Sequence, residues 1–232
     1  MLTELLDAAP QMLSGIGVTL LYTAMGAVAA FVVSMVLGLA SMSPFIVVRG
    51  LVRAFVEFFR GTSLVVQILW IVFVLPQLGV QLDYLTGATL ALALNFGAYG
   101  SEVVRGAIAA VPKAQWEATV ALGLTRTRRL RRVILPQALP EMVPPFGNLL
   151  VQLLKSSSLL FIVGITELTF QVNQLRFELG SLIAFGIALV IYFVLAQLLL
   201  VVMRWWEVRV SRAVGRRAKP IRVLDPEVVM SA

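Results

Sequence analysis

Residues 15–42 read GIGVTLLYTAMGAVAAFVVSMVLGLASM and contain no charged side chain. A helix crosses a hydrocarbon core of about 30 Å with about 20 mostly apolar residues, so this stretch predicts a membrane-spanning helix. Four more stretches meet the same criterion, at residues 58–78, 85–107, 140–164 and 181–203. The sequence therefore predicts an all-α integral membrane protein with five transmembrane helices.

The composition disfavours a soluble protein and most kinds of catalysis. Hydrophobic residues make up 59% of the 232 residues and charged residues 13%, whereas an average soluble domain has about 45–50% and about 25%. The chain has no cysteine and no histidine, which removes disulfides, thiolate metal sites and the commonest general base at neutral pH. We expect neither a metal site nor a cofactor in this chain, and a lipid bilayer around it.

Basic residues lie in three regions that share one side of the membrane if the chain crosses it five times. These regions are residues 49–53, 113–132 and 204–222. Lys and Arg mark the cytoplasmic flanks of membrane helices, and the opposite side receives the acidic amino terminus with Glu4 and Asp7. The charge pattern predicts an amino terminus outside, a carboxyl terminus in the cytoplasm, and no nucleic-acid partner for the basic tail.

This topology divides the chain into an external amino-terminal segment (1–14), a transmembrane domain (15–204) and a cytoplasmic tail (205–232). The amino terminus lacks the basic region of a cleavable signal peptide, so we expect the first helix to remain in the mature protein. Trp205 and Trp206 fit an aromatic anchor at the end of the last helix.

The connection between the third and fourth predicted spans is the most informative segment, VPKAQWEATVALGLTRTRRLRRVILPQAL at residues 111–139. Pro112 favours a helix start, Trp116, Val120 and Leu124 recur every four residues, and Gly123 favours a helix end followed by a turn. The pattern predicts a short amphipathic helix with a basic segment after it. Such a helix either binds anionic lipid at the membrane surface or docks in a groove of a cytoplasmic partner.

Polar side chains form one stripe on each of two predicted spans. Helical spacing places Asn95, Tyr99 and Glu102 on one face of the third span. The fourth span repeats the spacing with Asn148, Gln152 and Lys155, followed by Ser156. Lys155 lies about 22 Å along the helix from Pro140, beyond simple snorkelling to that side, so the two stripes indicate an interior or a solute pathway.

A structural interpretation of these polar residues is also open. Glu102 with Arg105, and Glu57 with Arg60, have the i, i+3 spacing of ion pairs within one helix. Asn95 and Asn148 have the chemistry of hydrogen-bonding contacts between membrane helices. For a zwitterionic solute, Lys155 would bind a carboxylate, and Glu102 or Tyr99 would face the positive end.

The long connection resembles the EAA loop of type I ABC importer permeases. Glu117 and Ala118, then Gly123, then Leu135 and Pro136 reproduce the spacing of that loop. Two positions depart from the family pattern, because Thr119 stands where the family often has a second Ala, and Val133 where it often has Ile. Both are small changes in volume.

Four further blocks are similar to the polar amino acid subfamily, which includes histidine, glutamine and arginine permeases. The blocks are LSGIGVTLLYT (13–23), FFRGTSLVVQILW (58–70), NFGAYGSEVVRGAI (95–108) and LLKSSSLL (153–160). The segments RGTSLVVQ and GAYGSEVVRGAI are similar to those of the permease branch that imports ectoine and hydroxyectoine. The resemblance covers nearly the whole chain.

The resemblance implies a MetI-like type I ABC permease fold in a bacterial cytoplasmic (inner) membrane. Each of two permease subunits, identical or paralogous, would place its loop helix on one of two ATPase subunits, and an external binding protein would deliver the solute. This chain has no phosphate-binding glycine motif, so ATP would be bound by the partner ATPase. The amphipathic residues 167–179 are expected on the external surface, either against the binding protein or over the mouth of the bundle.

Two other classes of protein compete with this interpretation. A secondary transporter driven by an ion gradient typically has inverted repeats and more spans, and no internal repeat is evident here. A membrane-embedded enzyme would need a nucleophile and a base without His or Cys, and no spacing singles out such a pair.

Overall fold

The computed structural model describes the backbone of residues 2–213 and the side chains of residues 9–210, and in that part of the chain every regular element is helical. The α-helices are α1 (Leu2–Ala40), α2 (Ile46–Gly61), α3 (Leu64–Leu69), α4 (Tyr84–Ala109), α5 (Lys113–Ala121), α6 (Arg126–Arg129), α7 (Leu135–Ser156), α8 (Leu168–Leu179) and α9 (Ser181–Ala213). Short π-helical and 3-10 segments extend α3 and α7. The all-α prediction is confirmed. The tail beyond residue 213 and the side chains of Glu4 and Asp7 lie outside the described residues.

Three helical stretches in the described chain are long and apolar enough to cross a bilayer, namely Ala9–Ala40, Arg126–Val163 and Ser181–Val210. A fourth candidate is the bent pair formed by Ile46–Gly61 and Leu64–Leu78. The remaining predicted span corresponds to α4, which is 26 residues long but rich in Gly, Ala and polar residues. More than half of its residues are buried against other helices, so α4 does not need the apolar surface that lipid demands.

The prediction of a single helix over residues 58–78 is wrong. The helical axis turns by 105° between α2 and α3, because Thr62 (φ −109°, ψ 154°) and Ser63 (φ −68°, ψ 131°) are extended. Phe58 therefore belongs to the end of α2. The apolar run gives no sign of this break, because mean hydropathy does not depend on the backbone dihedral angles of Thr62 and Ser63.

Two other helices begin earlier than predicted. The helix predicted from Gly15 already begins at Leu2. The fourth span was predicted from Pro140, whereas helical structure continues from Arg126 to Val163. Much of the basic loop thus forms the first turns of a long helix.

Two of the three leucine–proline pairs, Leu75-Pro76 and Leu135-Pro136, directly follow a π-helical turn. These turns cover Trp70–Val74 and Leu130–Ile134. A proline ring in an α-helix clashes with the carbonyl four residues earlier, and a wider turn with i to i+5 hydrogen bonds relieves that contact. The backbone widens at both prolines, so the helices continue past them.

The core is built around α4, and α1 packs closely along it. A Cβ atom added at Gly97 would lie 2.5 Å from Val33 Cγ1 on α1, and one added at Gly100 would overlap Ser34 Oγ. The Ser34 hydroxyl also lies 3.2 Å from the Gly97 carbonyl oxygen. Small residues let two membrane helices approach at backbone distance, and here they bring α1 onto α4.

At the end of the bundle opposite α5, Glu167 ties α8 to α1 and α9. This fully buried carboxylate accepts hydrogen bonds from the backbone N–H groups of Thr169 and Phe170, both at 2.9 Å, and from the Tyr192 hydroxyl at 2.8 Å. Thr19 on α1 accepts a hydrogen bond from the N–H of Leu168 at 3.1 Å. Burial raises the pKa of Glu167 above its ordinary value.

The helix α8 occupies the segment predicted to be amphipathic over residues 167–179. Its residues Leu168, Val172, Leu175 and Leu179 are buried, in a cluster with residues of α1 and α9. The amphipathic pattern thus reflects packing of α8 over the bundle.

We predict that Gly97→Ala destabilises the protein and that Gly106→Ala does not. The added methyl group at residue 97 meets Val33, and overpacking of this kind costs about 1–3 kcal/mol. Gly106 lies on the same helix with no atom near its Cβ position. Because alanine has a higher helix propensity than glycine, Gly106→Ala should stabilise the folded protein by up to about 1 kcal/mol. Thermal unfolding of the two variants in detergent measures the difference, and equal midpoints would contradict this packing.

We predict that the contribution of Glu167 to the stability of the protein falls as the pH rises from about 4.3, the ordinary pKa of a glutamate. The folded state holds the proton on Glu167 more tightly than the unfolded state, because the folded-state pKa is raised. The resulting stabilisation is fully present below the unfolded pKa and is lost as the pH rises through the folded pKa. Glu167→Gln should flatten this dependence in thermal unfolding at several pH values. Glu178→Gln, an exposed position on α8, is the control, and an unchanged slope in Glu167→Gln would refute the assignment.

Candidate docking loop and solute pathway

The loop helix α5 ends in the turn that the sequence predicted at Gly123. Gly123 has φ +66°, the left-handed conformation that glycine adopts without strain. Its N–H donates to the Val120 carbonyl at 2.9 Å, and the N–H of Leu124 donates to the Thr119 carbonyl at 3.1 Å. This pair of hydrogen bonds is a Schellman motif. It ends α5 sharply and directs the chain into α6.

The helix α5 keeps part of its apolar surface exposed. Thr119 is buried and its hydroxyl donates to the Trp116 carbonyl at 2.7 Å, while Val120 is 57% exposed and Leu122 75% exposed. Of the residues that recur every four positions, Trp116 packs on the bundle whereas Val120 stays exposed, because α5 turns Thr119 inward. Glu117 and Ala118 are exposed beside these apolar side chains.

The other two predicted loop residues, Leu135 and Pro136, lie in the first turn of α7. Leu135 packs on the cluster below α5, and Pro136 is exposed. The guanidinium of Arg126 donates to the carbonyl of Met42 just beyond α1. The loop is thus braced against the bundle and leaves an uncovered surface made of Glu117, Ala118, Val120 and Leu122.

Asn95, the first residue of the α4 stripe, is buried at the bend between α2 and α3. The Asn95 amide donates to the Phe59 carbonyl and to Gln67 Oε1, both at 3.1 Å. Gln67 in turn donates to the Phe59 carbonyl at 2.9 Å and to Thr62 Oγ1 at 2.7 Å. These amides satisfy carbonyls that the end of α2 leaves without helical partners. The interpretation of Asn95 as a contact between helices is confirmed.

Tyr99 and Glu102 continue the stripe along α4. The Tyr99 hydroxyl donates to the Arg60 carbonyl at 3.3 Å, and the Arg60 guanidinium lies 5.3 Å from the centre of the Tyr99 ring. Glu102 accepts a hydrogen bond from Arg105 Nε at 3.0 Å, and Glu57 lies 3.9 Å from Arg60. The two predicted pairs within helices are confirmed.

A cavity of about 790 Å³ opens between α2 and α4 next to these charges. Its polar lining consists of Ser41, Arg49, Arg53, Glu57, Ser101, Glu102 and Arg105. The opposite face of α2 carries exposed apolar residues, including Val47, Leu51 and Phe58. The charged side chains of α2 thus face the cavity, and its apolar side chains face away from it. This arrangement is typical of a membrane helix that lines a water-filled cavity. The geometry can therefore hold water and a small polar molecule.

The α7 stripe points away from the core of this chain. Gln152 and Lys155 are exposed and Ser156 is half-buried, while Leu153 and Leu154 between them are buried. Among the described residues, no hydrogen bond joins the α7 stripe to the α4 stripe. A lysine exposed at this depth in a membrane helix requires water or another chain beside it.

Sequence reasoning missed two polar residues with structural roles. Gln67 caps the end of α2, and Glu167 joins three helices. Each is a strongly polar residue next to an apolar run. Such a residue is costly in a membrane protein, so its presence indicates a specific partner or function. Neither belongs to a metal site, since the described residues contain no cluster of three or more Asp or Glu side chains suited to a metal ion.

Comparisons with known proteins agree with this geometry. A family model described as "Binding-protein-dependent transport system inner membrane component" matches residues 30–213. The chain is 43% identical over 199 residues to a probable amino-acid ABC transporter permease of Sinorhizobium fredii, covering 83% of this chain and 82% of the relative. It is 34% identical over 202 residues to the glutamine transport system permease of Escherichia coli, covering 82% and 92%.

A solved structure, described as a crystal structure of an amino acid ABC transporter with histidines, has the same architecture. Its TM-score to this chain is 0.81 at 30% sequence identity, and the alignment covers 88% of this chain and 96% of that chain. The predicted MetI-like type I ABC permease fold is therefore confirmed. Because the family model covers most of the chain and close relatives match over most of their length, the protein belongs to the family of binding-protein-dependent transport system inner membrane components.

Proposed function

We propose that this chain is the permease subunit of an ABC importer that moves a polar amino acid, or an amino-acid-like compatible solute, through the bacterial inner membrane. One observation carries the proposal, namely the uncovered surface of α5 beside the Gly123 turn. Exposed Val120 and Leu122 next to Glu117 suit a helix that docks in a groove of a partner. Relatives named as amino-acid and glutamine permeases support the solute class.

The proposed topology has five spans, with the amino terminus outside and the carboxyl terminus in the cytoplasm. Residues 1–14 form the external segment, 15–204 the transmembrane domain and 205–232 the cytoplasmic tail. In this arrangement α4 is the fifth span, shielded from lipid by its neighbours. The basic residues around α5 and at the end of α9 then lie on the cytoplasmic side, as the charge distribution of membrane proteins favours.

The proposed assembly contains two permeases, identical or paralogous, two ATPase subunits and an external binding protein. Each ATPase would hold one α5, bind ATP and supply the energy, since this chain lacks a phosphate-binding glycine motif. ATP-driven closure of the ATPases would move the two docked helices as rigid bodies and switch access to the pathway. A secondary transporter driven by an ion gradient is not favoured, given the family of the chain.

We propose that the solute passes between the α4 and α7 stripes. Exposed Lys155, with Gln152 and Ser156 beside it, would bind the solute carboxylate. Tyr99 and Glu102 would face the positive end, although Arg60 and Arg105 already neutralise part of this surface. Ectoine and hydroxyectoine are candidate solutes on the resemblance of RGTSLVVQ and GAYGSEVVRGAI to that branch, alongside polar amino acids.

We predict that Gly123→Val abolishes coupled transport while the protein still inserts in the membrane. A β-branched residue at φ +66° is strained, so the turn shifts and α5 loses its docking orientation. Gly123→Asn is the matched control, because asparagine tolerates the left-handed conformation. Stimulation of ATP hydrolysis by the loaded binding protein, in the complete reconstituted transporter, should be lost in the first variant and largely kept in the second. Normal stimulation in Gly123→Val would disprove the role of the turn.

We predict that Lys155→Met reduces uptake by at least about tenfold, the effect of losing one charge-assisted hydrogen bond of about 1.5–3 kcal/mol. Lys155→Arg keeps the charge and should retain much of the activity. Uptake of labelled glutamine, arginine and ectoine by vesicles holding the complete transporter measures both variants. If Lys155→Met transports all three with unchanged kinetics, Lys155 has only a structural role.

A further inference from the structure

A second concave surface lies between α1, α7 and α9, on a side of α7 different from the polar stripe. It is an almost wholly apolar groove of about 570 Å³. Six of the residues that line it are Phe31, Leu139, Val143, Phe146, Val202 and Trp206. The rings of Phe31 and Phe146 meet edge to face at 5.4 Å and join the α1 and α7 walls.

The groove opens on the outer surface of three helices that can span a bilayer. Its three walls are the three helices that are long and apolar enough to cross a membrane. Phe31 is 45% exposed, Val202 54% and Trp206 56%, so none of the described residues covers the opening. Apolar side chains around a concavity of this kind provide a surface for an acyl chain.

Arginines of the segment before α7 stand beyond one end of the groove. Arg131 precedes Leu139 by eight residues, and the wider π turn at Leu130–Ile134 adds about one residue to this stretch of helix, so Arg131 returns to the face of Leu139. Arg128 and Arg132 add positive charge on the same segment. The sequence thus continues the apolar wall of α7 into a basic one.

The α9 wall shows the same change from apolar to basic. Arg209 follows Val202 by seven residues, and its guanidinium lies 3.9 Å from the centre of the Trp205 ring. Exposed Arg204 adds to the charge, and half-buried Glu207 is the acidic residue of this stretch. The basic side chains of α9 therefore outnumber the acidic one where the groove ends.

Arg128, Arg131 and Arg132 differ from Arg126 and Arg129, which have partners in the protein. Arg126 and Arg129 donate to the carbonyls of Met42 and Leu124. In the part of the chain with described side chains, Arg128, Arg131 and Arg132 are exposed and make no hydrogen bond or ion pair. An uncompensated basic cluster next to a lipid-facing groove is complementary to an anionic headgroup attached to an acyl chain.

We propose that this groove is a binding site for an anionic phospholipid. One acyl chain lies along Phe31, Val143 and Val202, and the phosphate group sits between Arg131 or Arg132 on one wall and Arg209 on the other. Basic pockets between membrane helices bind anionic headgroups in this way. The indole of Trp206 marks the interface between hydrocarbon and headgroups.

The test measures which lipids the complete transporter retains. The complex is purified in mild detergent, exchanged with mixed vesicles of phosphatidylglycerol and phosphatidylcholine, and examined by native mass spectrometry. We expect selective retention of phosphatidylglycerol. The double variant Arg131→Gln with Arg132→Gln should lower that retention by roughly 30-fold, at about fivefold per arginine near a membrane surface. Arg49→Gln with Arg53→Gln, which removes two charges on α2, should leave it unchanged.

A second pair of variants tests the groove itself. Val202→Trp fills the groove and should abolish retention with all the arginines present, whereas Val201→Trp changes a neighbouring exposed valine outside the groove and should not. Equal retention of the two lipids, or equal loss in the two arginine double variants, would overturn the proposal. A change in the number of permease chains per complex in Val202→Trp would also overturn it, because the groove would then be a contact between subunits.

Discussion

The architecture depends on the close approach of α1 to α4. Gly97 and Gly100 leave no side chain between the helices, so Val33 and Ser34 reach the α4 backbone. This contact places α4 at the centre of the bundle, where α2, α3 and α7 also pack against it. A central helix surrounded by protein can carry Asn95, Tyr99 and Glu102 through the bilayer region, because its neighbours supply partners that lipid cannot.

The second constraint is that every backbone carbonyl away from water needs a donor. The break between α2 and α3 frees carbonyls at Phe58, Phe59 and Arg60, and each accepts a hydrogen bond from a side chain. Two of the donors, Asn95 and Tyr99, come from α4. The bend is therefore held by the central helix, and it positions α2 with its charges toward the cavity and its apolar residues toward the surroundings.

The helix α7 presents different chemistry on different sides. One side carries exposed Gln152 and Lys155, where a polar solute and a second permease would meet. Another side forms the apolar groove with α1 and α9, where the bilayer supplies the occupant. The same continuous helix begins at Arg126, directly after the Gly123 turn that ends α5. Only this hydrogen-bonded turn separates the proposed docking helix from the helix that carries both surfaces of α7, so a movement of α5 would be passed to the solute pathway through it.

The sequence by itself determined the features that depend on neighbouring residues. Apolar runs specified membrane helices, Pro112 and Gly123 bounded α5, and the segment from Glu117 to Pro136 carried the resemblance to the permease family. The structure decided which side chains are buried, because burial depends on segments distant in the chain. Thr119 rather than Val120 faces inward, Glu167 joins three helices, and residues 58–78 bend where Gln67 and Asn95 can cap the broken end. An apolar run is the same in a straight helix and a bent one, and only the donors brought by other helices make the bend stable.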